Sequence, residues 1–428
     1  MLSPFLRRAV PASRSITASF LASKFQRRRW TTVTTTSDAL TIHKLKNTSF
    51  PYIWLRDSCQ SPECIHPSTK QKLHRTSDVP MSIAPVTEGG VQVTKNGIAI
   101  TWTDGHKSFF HANFLERHAF PTKLAESHHD HCIVHEAWTN ESISESRDLF
   151  IPYDTINSPE GLVKAITQLS KYGLLFVSGV SNKETSNNAC ELRVLAEKFG
   201  EIRPTFYGPL WDVINVRNSR NIAYTNLDLG LHMDLLYFQH PPRYQILHCL
   251  RNRVVGGASI FVDSLHAARV LRDTHPNDFD TLTKTPVAFH YINDGHHLHH
   301  NHPTIELAPL STLSSPSSEL EISHVNYSPP FQAPLPLSTS REFYLALQRF
   351  SKLLNDPQNT YEYTLREGDA VLFDNRRVLH ARTAFTDPGS EPGKKGETNR
   401  WLKGCYLEAD GLVDRMRVLR TKIATGLI

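Results

Sequence analysis

The chain has 428 residues, which exceeds one average domain, so we expect two domains or one large domain with an appendage. Its hydrophobic fraction of 39% and charged fraction of 21% are those of an ordinary globular protein, and no apolar run reaches the roughly 18 residues that a membrane span needs. The formal net charge of +5 comes largely from the first 30 residues, and the near-neutral remainder argues against nucleic-acid binding.

Residues 1–37 have the composition of a cleavable mitochondrial transit peptide. They are rich in Ser and Thr, interleave Leu and Phe with basic side chains, and contain no carboxylate. We therefore predict a protein of the mitochondrial matrix and exclude this leader from the fold. A disordered basic tail is the alternative interpretation.

Residues 38–130 are predicted to form a small β-rich domain. The alternating run GVQVTKNGIAITW surrounds Asn96-Gly97, which is a strong hairpin-turn signal. The cysteines are too few and too scattered for a disulfide scaffold, so paired cysteines are interpreted first as metal ligands in a reducing compartment. The six are Cys59, Cys64, Cys132, Cys190, Cys249 and Cys405.

Residues 131–428 are predicted to form the second domain. An amphipathic helix opens at Ser158-Pro159 and ends at Gly173, the strand LLFVSGV follows, and a second helix ends before Gly200. Further strands are YQILHCL, SIFVD, YEYTL, AVLFD and WLKGCYL, while residues 338–355 and the C-terminal tail look helical. Residues 295–337 are rich in Pro, Ser and His, which predicts a long loop serving as a lid or substrate-side insertion, with His296 to His302 in solvent. Several strands with few intervening helices favour an antiparallel double-sheet barrel of the jelly-roll type.

A metal site is indicated by His232-Met233-Asp234. Non-haem iron(II) oxygenases use two imidazoles and one carboxylate, and residues i and i+2 of a strand point the same way. The motif alone is weak, because the stretch His128-His129-Asp130 has the same form. That second stretch lies in a polar connector, whereas His232 lies between strand-like runs, so we favour His232 and Asp234.

Two later residues complete the pattern. His380 follows an apolar strand and supplies a third ligand, and Arg400 begins the next strand. A guanidinium there could bind the distal carboxylate of 2-oxoglutarate through two parallel hydrogen bonds, which a Lys would match poorly. Each residue alone could be structural or solvated, but their joint order is far more specific than any one of them.

Longer stretches resemble the γ-butyrobetaine and trimethyllysine dioxygenases of carnitine biosynthesis, over nearly all of the chain after the leader. The matching stretches are WLRDSC, TFYGPLW, NIAYT, HMD with PPRYQILHCL, VVGGASIFVD, FDNRRVLH and RWLKGCYLEAD.

The resemblance implies a mainly β fold with flanking helices, in which a double-stranded β-helix catalytic domain follows the small N-terminal domain. It implies iron(II) on His232, Asp234 and His380 as the catalytic group, dioxygen and 2-oxoglutarate as cosubstrates, and ascorbate as reductant. Arg400 is implied as the ligand of 2-oxoglutarate, and Asn221 is assigned to the same binding site. A trimethylammonium group would bind to electron-rich ring faces, and the implied cage is Tyr207, Trp211, Tyr224 and Tyr406.

The chain departs from the family in its small domain, where three Cys and one His bind zinc. Cys59, Cys64 and His106 match, but Ser61 replaces the middle Cys, so a tetrahedral site needs a substitute such as His66. The alternative is that Cys59 and Cys64 are ordinary buried thiols.

A second departure affects the choice of substrate. The stretch VNYSPPFQ places Ser328 and Pro329 where the carnitine enzymes have an Asn pair. The leader and the Tyr-Phe after the iron motif favour trimethyllysine, whereas Asn221 favours γ-butyrobetaine, which we choose by a small margin. Trimethyllysine, another cationic metabolite and a non-catalytic 2-oxoglutarate-binding protein remain alternatives, and a homodimer is one hypothesis for the assembly.

Overall fold

The computed structural model describes residues 32–128, 135–215, 222–308, 321–386 and 399–428. The chain divides into two compact units between Leu124 and Ala125. Across the described residues, every helix is too short or too polar to cross a lipid bilayer. The predicted leader, except for its last residues, lies outside the described part.

The N-terminal unit contains two three-stranded antiparallel sheets, ordered β1-β2-β3 and β4-β5-β6. The hairpin predicted at Asn96-Gly97 is confirmed, since the strands on either side pair and the Thr94 N–H donates to the Gly97 carbonyl at 2.9 Å. Trp102 is fully buried and its indole N–H donates to the Ser108 hydroxyl. The elements are β1 (Val33–Thr35), β2 (Ala39–Ile42), β3 (Thr48–Pro51), α1 (Tyr52–Asp57), β4 (Val91–Val93), β5 (Gly97–Thr101), β6 (Lys107–His111), α2 (Ala112–Ala119) and α3 (Pro121–Ser127).

The second unit contains many more strands. Its first half comprises α4 (Asn140–Ser144), β7 (Phe150–Pro152), α5 (Pro159–Tyr172), β8 (Leu174–Ser178), α6 (Glu191–Phe199), β9 (Ile202–Arg203), β10 (Trp211–Ile214), β11 (Leu229–His232), β12 (Tyr244–Asn252), β13 (Val255–Gly256), β14 (Ser259–Asp263), α7 (Ser264–Thr274) and α8 (Pro276–Lys284). Its second half comprises β15 (Pro286–Asn293), β16 (His296–Pro303), β17 (Ile305–Leu307), β18 (Ile322–Val325), α9 (Arg341–Leu354), β19 (Thr360–Tyr363), β20 (Ala370–Asp374), β21 (Val378–Arg382), β22 (Phe385–Thr386), β23 (Arg400–Leu407) and α10 (Ala409–Ala424).

Two sheets form the core of this unit. The larger has the order β10-β23-β12-β20-β8-β7, with β9 also pairing with β23, and the smaller has the order β11-β21-β14-β19. Within these two sheets only β7 and β8 pair in parallel. The inner faces meet where the Phe261 ring lies 5.7 Å from the rings of both Phe176 and Phe373. The predicted jelly-roll architecture with flanking helices is confirmed.

Helix α5 shows why the local predictions succeeded. The Ser158 hydroxyl accepts a hydrogen bond from the Gly161 N–H, Pro159 occupies the first turn, and Gly173 ends the helix at φ 69°. A residue with a Cβ is strained in this left-handed conformation, so glycine is favoured there. The predicted strands around residues 174, 244, 259, 360, 370 and 400 are all present. Helices α7 and α8, which pack with α9, were not predicted.

The prediction of a long loop over residues 295–337 is wrong. Strand β16 pairs along its whole length with β15, and β17 pairs with β18. Along β16, Leu298 packs against the core and His302 is buried, while His297 and His299 are exposed. The histidine-rich composition concealed this two-residue alternation. Residues 309–320 of the segment lie outside the described part.

Candidate active site

Two of the predicted iron ligands face each other across a pair of strands. His232 is the last residue of β11, and His380 is the middle residue of β21, not a residue beyond a strand end as predicted. The two residues are direct partners in the antiparallel register, and their ring centroids lie 4.1 Å apart. With Asp234 they form a group whose ligand atoms all lie within 4.8 Å of one another.

Asp234 lies in a turn beyond the end of β11, so the prediction that one strand carries both ligands holds only for His232. The chain reverses at Leu235, which adopts a left-handed φ of 63° that is uncommon outside glycine. The side chain of Asn375 fixes this turn, because its Oδ1 accepts from the Asp234 N–H at 2.8 Å and its Nδ2 donates to the Asp234 carbonyl at 3.0 Å. Asn375 therefore orients the carboxylate from the far side of the turn.

The geometry and protonation of this group fit one metal ion. The Asp234 Oδ1 lies 3.4 Å from the His232 Nε2 and 4.0 Å from the His380 Nε2, and ligand atoms about 2.1 Å from one ion at right angles are about 3 Å apart. The His232 Nδ1 donates to the Gly230 carbonyl at 2.9 Å, which leaves its Nε2 lone pair for a metal. Burial, assisted by His232, lowers the pKa of His380 to about 3, so this imidazole is neutral.

The carboxylate is held as an anion. Burial alone would raise the pKa of Asp234, but the adjacent His232 and His380 imidazoles and the hydrogen bond from the Tyr406 hydroxyl together hold it well below its usual range. The Tyr406 hydroxyl donates to the Asp234 Oδ2 at 2.8 Å. One carboxylate oxygen thus faces the histidines, and the other is bound by Tyr406.

The four predicted cage aromatics line one cavity together with the three metal-binding residues. Trp211 and Tyr406 stack, with ring centroids 4.2 Å apart, so a cation cannot lie between these two rings and must meet their outer faces. The indole lies over Gly404, its partner across β10 and β23, where a Cβ would come within 2.7 Å of the ring. Burial raises the pKa of Tyr224 to about 12, so its ring stays neutral.

Arg400 also lines this cavity and is 5% exposed. Burial and the neighbouring Arg382 lower the pKa of Arg400 to about 10, which still leaves it cationic at neutral pH. Arg382 uses its own guanidinium to donate to the carbonyls of Ala223 and Leu227. Arg400 thus places a buried cation on the wall of the cavity that contains the three candidate iron ligands, where it could bind a carboxylate. Asn221, predicted to assist it, lies outside the described residues.

Several residues of the cavity were missed in the sequence. Arg382 lies two residues after His380 on the same strand face, and Ser259 is its direct partner on β14. Strand alternation from His380 could have identified Arg382, whereas Ser259 is placed by the pairing of β14 with β21. Other lining residues reach the cavity through the tertiary packing of separate elements, among them Tyr237, Gln245, Leu247, Phe261, Pro330 and Phe331.

The N-terminal unit contains a separate ligand group made of Cys59, Cys64 and His106. The His106 Nε2 lies 3.2 Å from the Cys59 Sγ and 3.4 Å from the Cys64 Sγ. Among the residues that the structure describes, His66 is not a member of this group, and its Nδ1 instead accepts from the Thr69 N–H at 3.2 Å. The structure therefore gives no support to His66 as a fourth ligand.

Comparison with known proteins assigns the family. Residues 140–406, more than half of the chain, match the Taurine catabolism dioxygenase TauD, TfdA family. The chain belongs to this family. Residues 32–116 match a family described as Gamma-butyrobetaine hydroxylase-like, N-terminal. The enzyme is an iron(II)- and 2-oxoglutarate-dependent dioxygenase, as the sequence indicated.

Relatives of the enzyme extend along most of its length. Dioxygenase str8 of Strobilurus tenacellus is 53% identical over 93% of this chain and 92% of its own. Human mitochondrial trimethyllysine dioxygenase is 29% identical over 86% of this chain and 82% of its own, and human γ-butyrobetaine dioxygenase is 29% identical over 88% and 92%. A taurine dioxygenase structure from Burkholderia xenovorans covers 59% of this chain and 85% of its own, with 18% identity and a TM-score of 0.42.

Different residues of the cavity would bind the metal, the cosubstrate and the substrate. His232, Asp234 and His380 would hold iron(II) on one face, and Arg400 would hold the far carboxylate of 2-oxoglutarate. Iron(II) and 2-oxoglutarate would together supply the chemistry that activates dioxygen for oxidation of a substrate carbon–hydrogen bond. The aromatic residues that line the cavity would position a substrate beside this group and keep water away from it.

Proposed function

We propose that the enzyme hydroxylates a small trimethylammonium compound, with γ-butyrobetaine as the first candidate, and that it serves carnitine biosynthesis. The main support for this proposal is the set of residues that line the cavity. Tyr207, Trp211, Tyr224 and Tyr406 share it with the metal-binding group, and among its described lining residues Asp234 alone is acidic. A cation in this cavity therefore meets ring faces, each contributing about 0.5–2 kcal/mol depending on desolvation.

The same composition favours γ-butyrobetaine over trimethyllysine, which is the second candidate. Trimethyllysine carries an α-ammonium group in addition to its quaternary nitrogen, and a buried ammonium needs acceptors. The wall near the family's Asn-pair position instead presents Pro330 and Phe331 to the cavity, while Ser328 is buried behind it at 1% exposure. The 29% identities to both human enzymes do not separate the two substrates.

Turnover assays test the proposal directly. Purified protein is incubated with iron(II), ascorbate, 2-oxoglutarate and either γ-butyrobetaine or trimethyllysine, and succinate and the hydroxylated product are measured by mass spectrometry. We expect product from γ-butyrobetaine at the higher rate and none from a His232→Ala variant. Failure of both compounds to yield a product would overturn the trimethylammonium assignment.

We also propose that residues 1–37 direct the enzyme to the mitochondrial matrix. The support is their basic, carboxylate-free composition. A fusion of residues 1–37 to a fluorescent protein should be imported and shortened. A matched fusion in which the arginines of that segment are replaced by glutamine should remain in the cytosol, and import of that control would contradict the mechanism.

Zinc in the N-terminal unit is a further proposal. Its support is the group of two thiols and one imidazole within bonding reach of a single ion. Metal analysis of the protein should give one zinc per chain in addition to iron, and a Cys64→Ser variant should lose it. Cys249→Ser is the control, because Cys249 is a buried thiol of the other unit. Zinc retained in the Cys64 variant would contradict the proposal.

A further inference from the structure

Residues 223–228 form a short segment that leads into β11 and carries one of the aromatic residues of the cavity. Tyr224 lines the cavity, while residues 226–228 of the same segment are exposed. The segment is not part of a β-strand, so no sheet ladder fixes its position. Its polar backbone groups need other partners, and those partners decide where the Tyr224 ring lies.

Three hydrogen bonds attach this segment to β21 and β22. The Arg382 guanidinium donates through Nη1 to the Ala223 carbonyl at 3.1 Å and through Nη2 to the Leu227 carbonyl at 2.5 Å. The Phe385 N–H donates to the Asn226 carbonyl at 3.2 Å. One guanidinium therefore holds the two ends of the segment together.

The side chain of Arg382 also shares an aromatic ring with Arg400. The Cζ atoms of Arg382 and Arg400 lie 5.1 Å and 5.3 Å from the centroid of the Phe385 ring, which is within the range of a cation–π contact. The other side of this contact is closed by Gly257, where a Cβ would lie 3.2 Å from the Arg400 Nε and 3.3 Å from the Phe385 Cβ. Both guanidinium groups are thus packed on one buried ring.

The two guanidinium groups carry the same charge and repel each other. Arg382 contributes to the lowered pKa of Arg400, which is the sign of this repulsion. A carboxylate bound to Arg400 would offset the positive charge there. Arg382 would then keep its two bonds to the segment at a lower electrostatic cost.

We propose that Arg382 is a positioning residue of the substrate site, which holds Tyr224 at the cavity wall and does so more firmly when a carboxylate occupies Arg400. The ring of Phe385 keeps the two guanidinium groups together and so connects the two binding events. Because Tyr224 acts here as a ring face for a cation, this role rests on the proposed trimethylammonium substrate. Substrate and 2-oxoglutarate should therefore strengthen each other's binding by the same factor.

Hydrogen exchange tests the attachment of the segment without any substrate. In the cobalt(II)-loaded enzyme, saturating 2-oxoglutarate should slow amide exchange in a peptide covering residues 223–228 by about 2–10-fold, which corresponds to the free energy of one hydrogen bond. Arg382→Met should remove this effect, whereas Arg382→Lys, which keeps the charge and a donor, should retain part of it. Arg349→Gln, which breaks the separate Arg349–Asp278 ion pair, should leave it unchanged.

Calorimetry tests the connection between the two ligands without turnover. Without dioxygen, 2-oxoglutarate should lower the dissociation constant of γ-butyrobetaine from the cobalt(II)-loaded enzyme by at least about fivefold. Phe385→Leu should lose most of this factor, although its backbone bond to Asn226 is kept. Arg382→Met should also lose it and should raise the dissociation constant of γ-butyrobetaine by about 2–30-fold, the contribution of one ring face. Cobalt affinity should be retained in both variants, which a general loss of structure would not allow.

The two measurements separate this proposal from the proposed function. An exchange response that depends on Arg382, together with no binding of γ-butyrobetaine or trimethyllysine, would support the attachment of residues 223–228 and refute the trimethylammonium substrate. An exchange rate that 2-oxoglutarate leaves unchanged, or a response that persists in Arg382→Met, would overturn the proposal. If Arg382→Met fails to fold, the unaltered enzyme and Phe385→Leu decide, and an undiminished response in Phe385→Leu would overturn it as well.

Discussion

Replacing Tyr406 with phenylalanine isolates the hydrogen bond between the aromatic wall and an iron ligand. The substitution removes the hydroxyl that donates to the Asp234 Oδ2 at 2.8 Å. It keeps the ring that stacks on Trp211 at 4.2 Å, so the surface available to a cationic substrate is preserved. The expected defect is therefore in metal binding and not in substrate binding.

The size of that defect follows from the burial of the bond. Tyr406 is 2% exposed, so water cannot easily replace the lost donor. A hydrogen bond to a charged group contributes about 1.5–3 kcal/mol, and loss of a partner to a metal ligand weakens metal binding by about 10–100-fold. We expect the dissociation constant of a divalent metal to rise within that range.

Titration with cobalt(II), followed by visible absorption, measures this constant without turnover. Tyr224→Phe is the matched control, since it removes a hydroxyl from the same cavity and leaves the Tyr406–Asp234 bond in place. The control should bind cobalt as the unaltered enzyme does. Equal cobalt affinity in the Tyr406 variant would refute a positioning role for its hydroxyl.

Three further predictions concern other parts of the catalytic unit. Arg400→Lys should raise the KM for 2-oxoglutarate at least about tenfold, because the two-point hydrogen bond is lost, while the KM for the trimethylammonium substrate changes little; an unchanged cosubstrate KM would argue against Arg400. Gly404→Ala should displace the Trp211 indole, since the new Cβ would lie 2.7 Å from the ring, and should raise the substrate KM about 2–30-fold while cobalt affinity is retained, as titration can show. The free energy of unfolding should fall as the pH drops from about 6.5 to 5, by about 1.4 kcal/mol per pH unit for each of His248 and His324, whose pKa values burial lowers to about 4 and about 2. In this pH range the unfolded chain takes up protons that the folded chain cannot. Urea titrations at several pH values should therefore show a smaller loss of unfolding free energy per pH unit in a His248→Gln variant. A stability that does not change with pH would contradict the reasoning.

Local signals in the sequence predicted much of the fold correctly. Helix α5 has a hydroxyl cap, a proline in its first turn and a terminal glycine, each of which acts within a few residues. Strand β23 begins at Arg400 as predicted, and its nearly continuous apolar and aromatic run fits its burial on both faces. Strand β16 was missed, because histidines occupy both its buried and its exposed positions and its sequence therefore shows no alternation of apolar and polar residues.

The candidate site was predictable only in part. His232, Asp234 and His380 were identified by residue type and order, and the structure brings them together. The turn that places Asp234 beyond β11 depends on Asn375, which is 141 residues away in the chain. No periodicity encodes such a contact. The bond from Tyr406 to Asp234 is equally non-local and appears only when the two sheets face each other.

Strand β23 has a consequence for how substrate preference can diverge on this scaffold. Arg400, Gly404 and Tyr406 occupy alternate positions of one strand, so they share one face and one fixed spacing. A shift of the strand register by one residue would turn all three positions to the opposite face together. We therefore expect this strand to tolerate few insertions or deletions. The turn Pro329–Phe331 belongs to no sheet ladder, yet it reaches the same cavity. Substitutions that change the preferred substrate should therefore accumulate in that turn, while strand β23 stays constant.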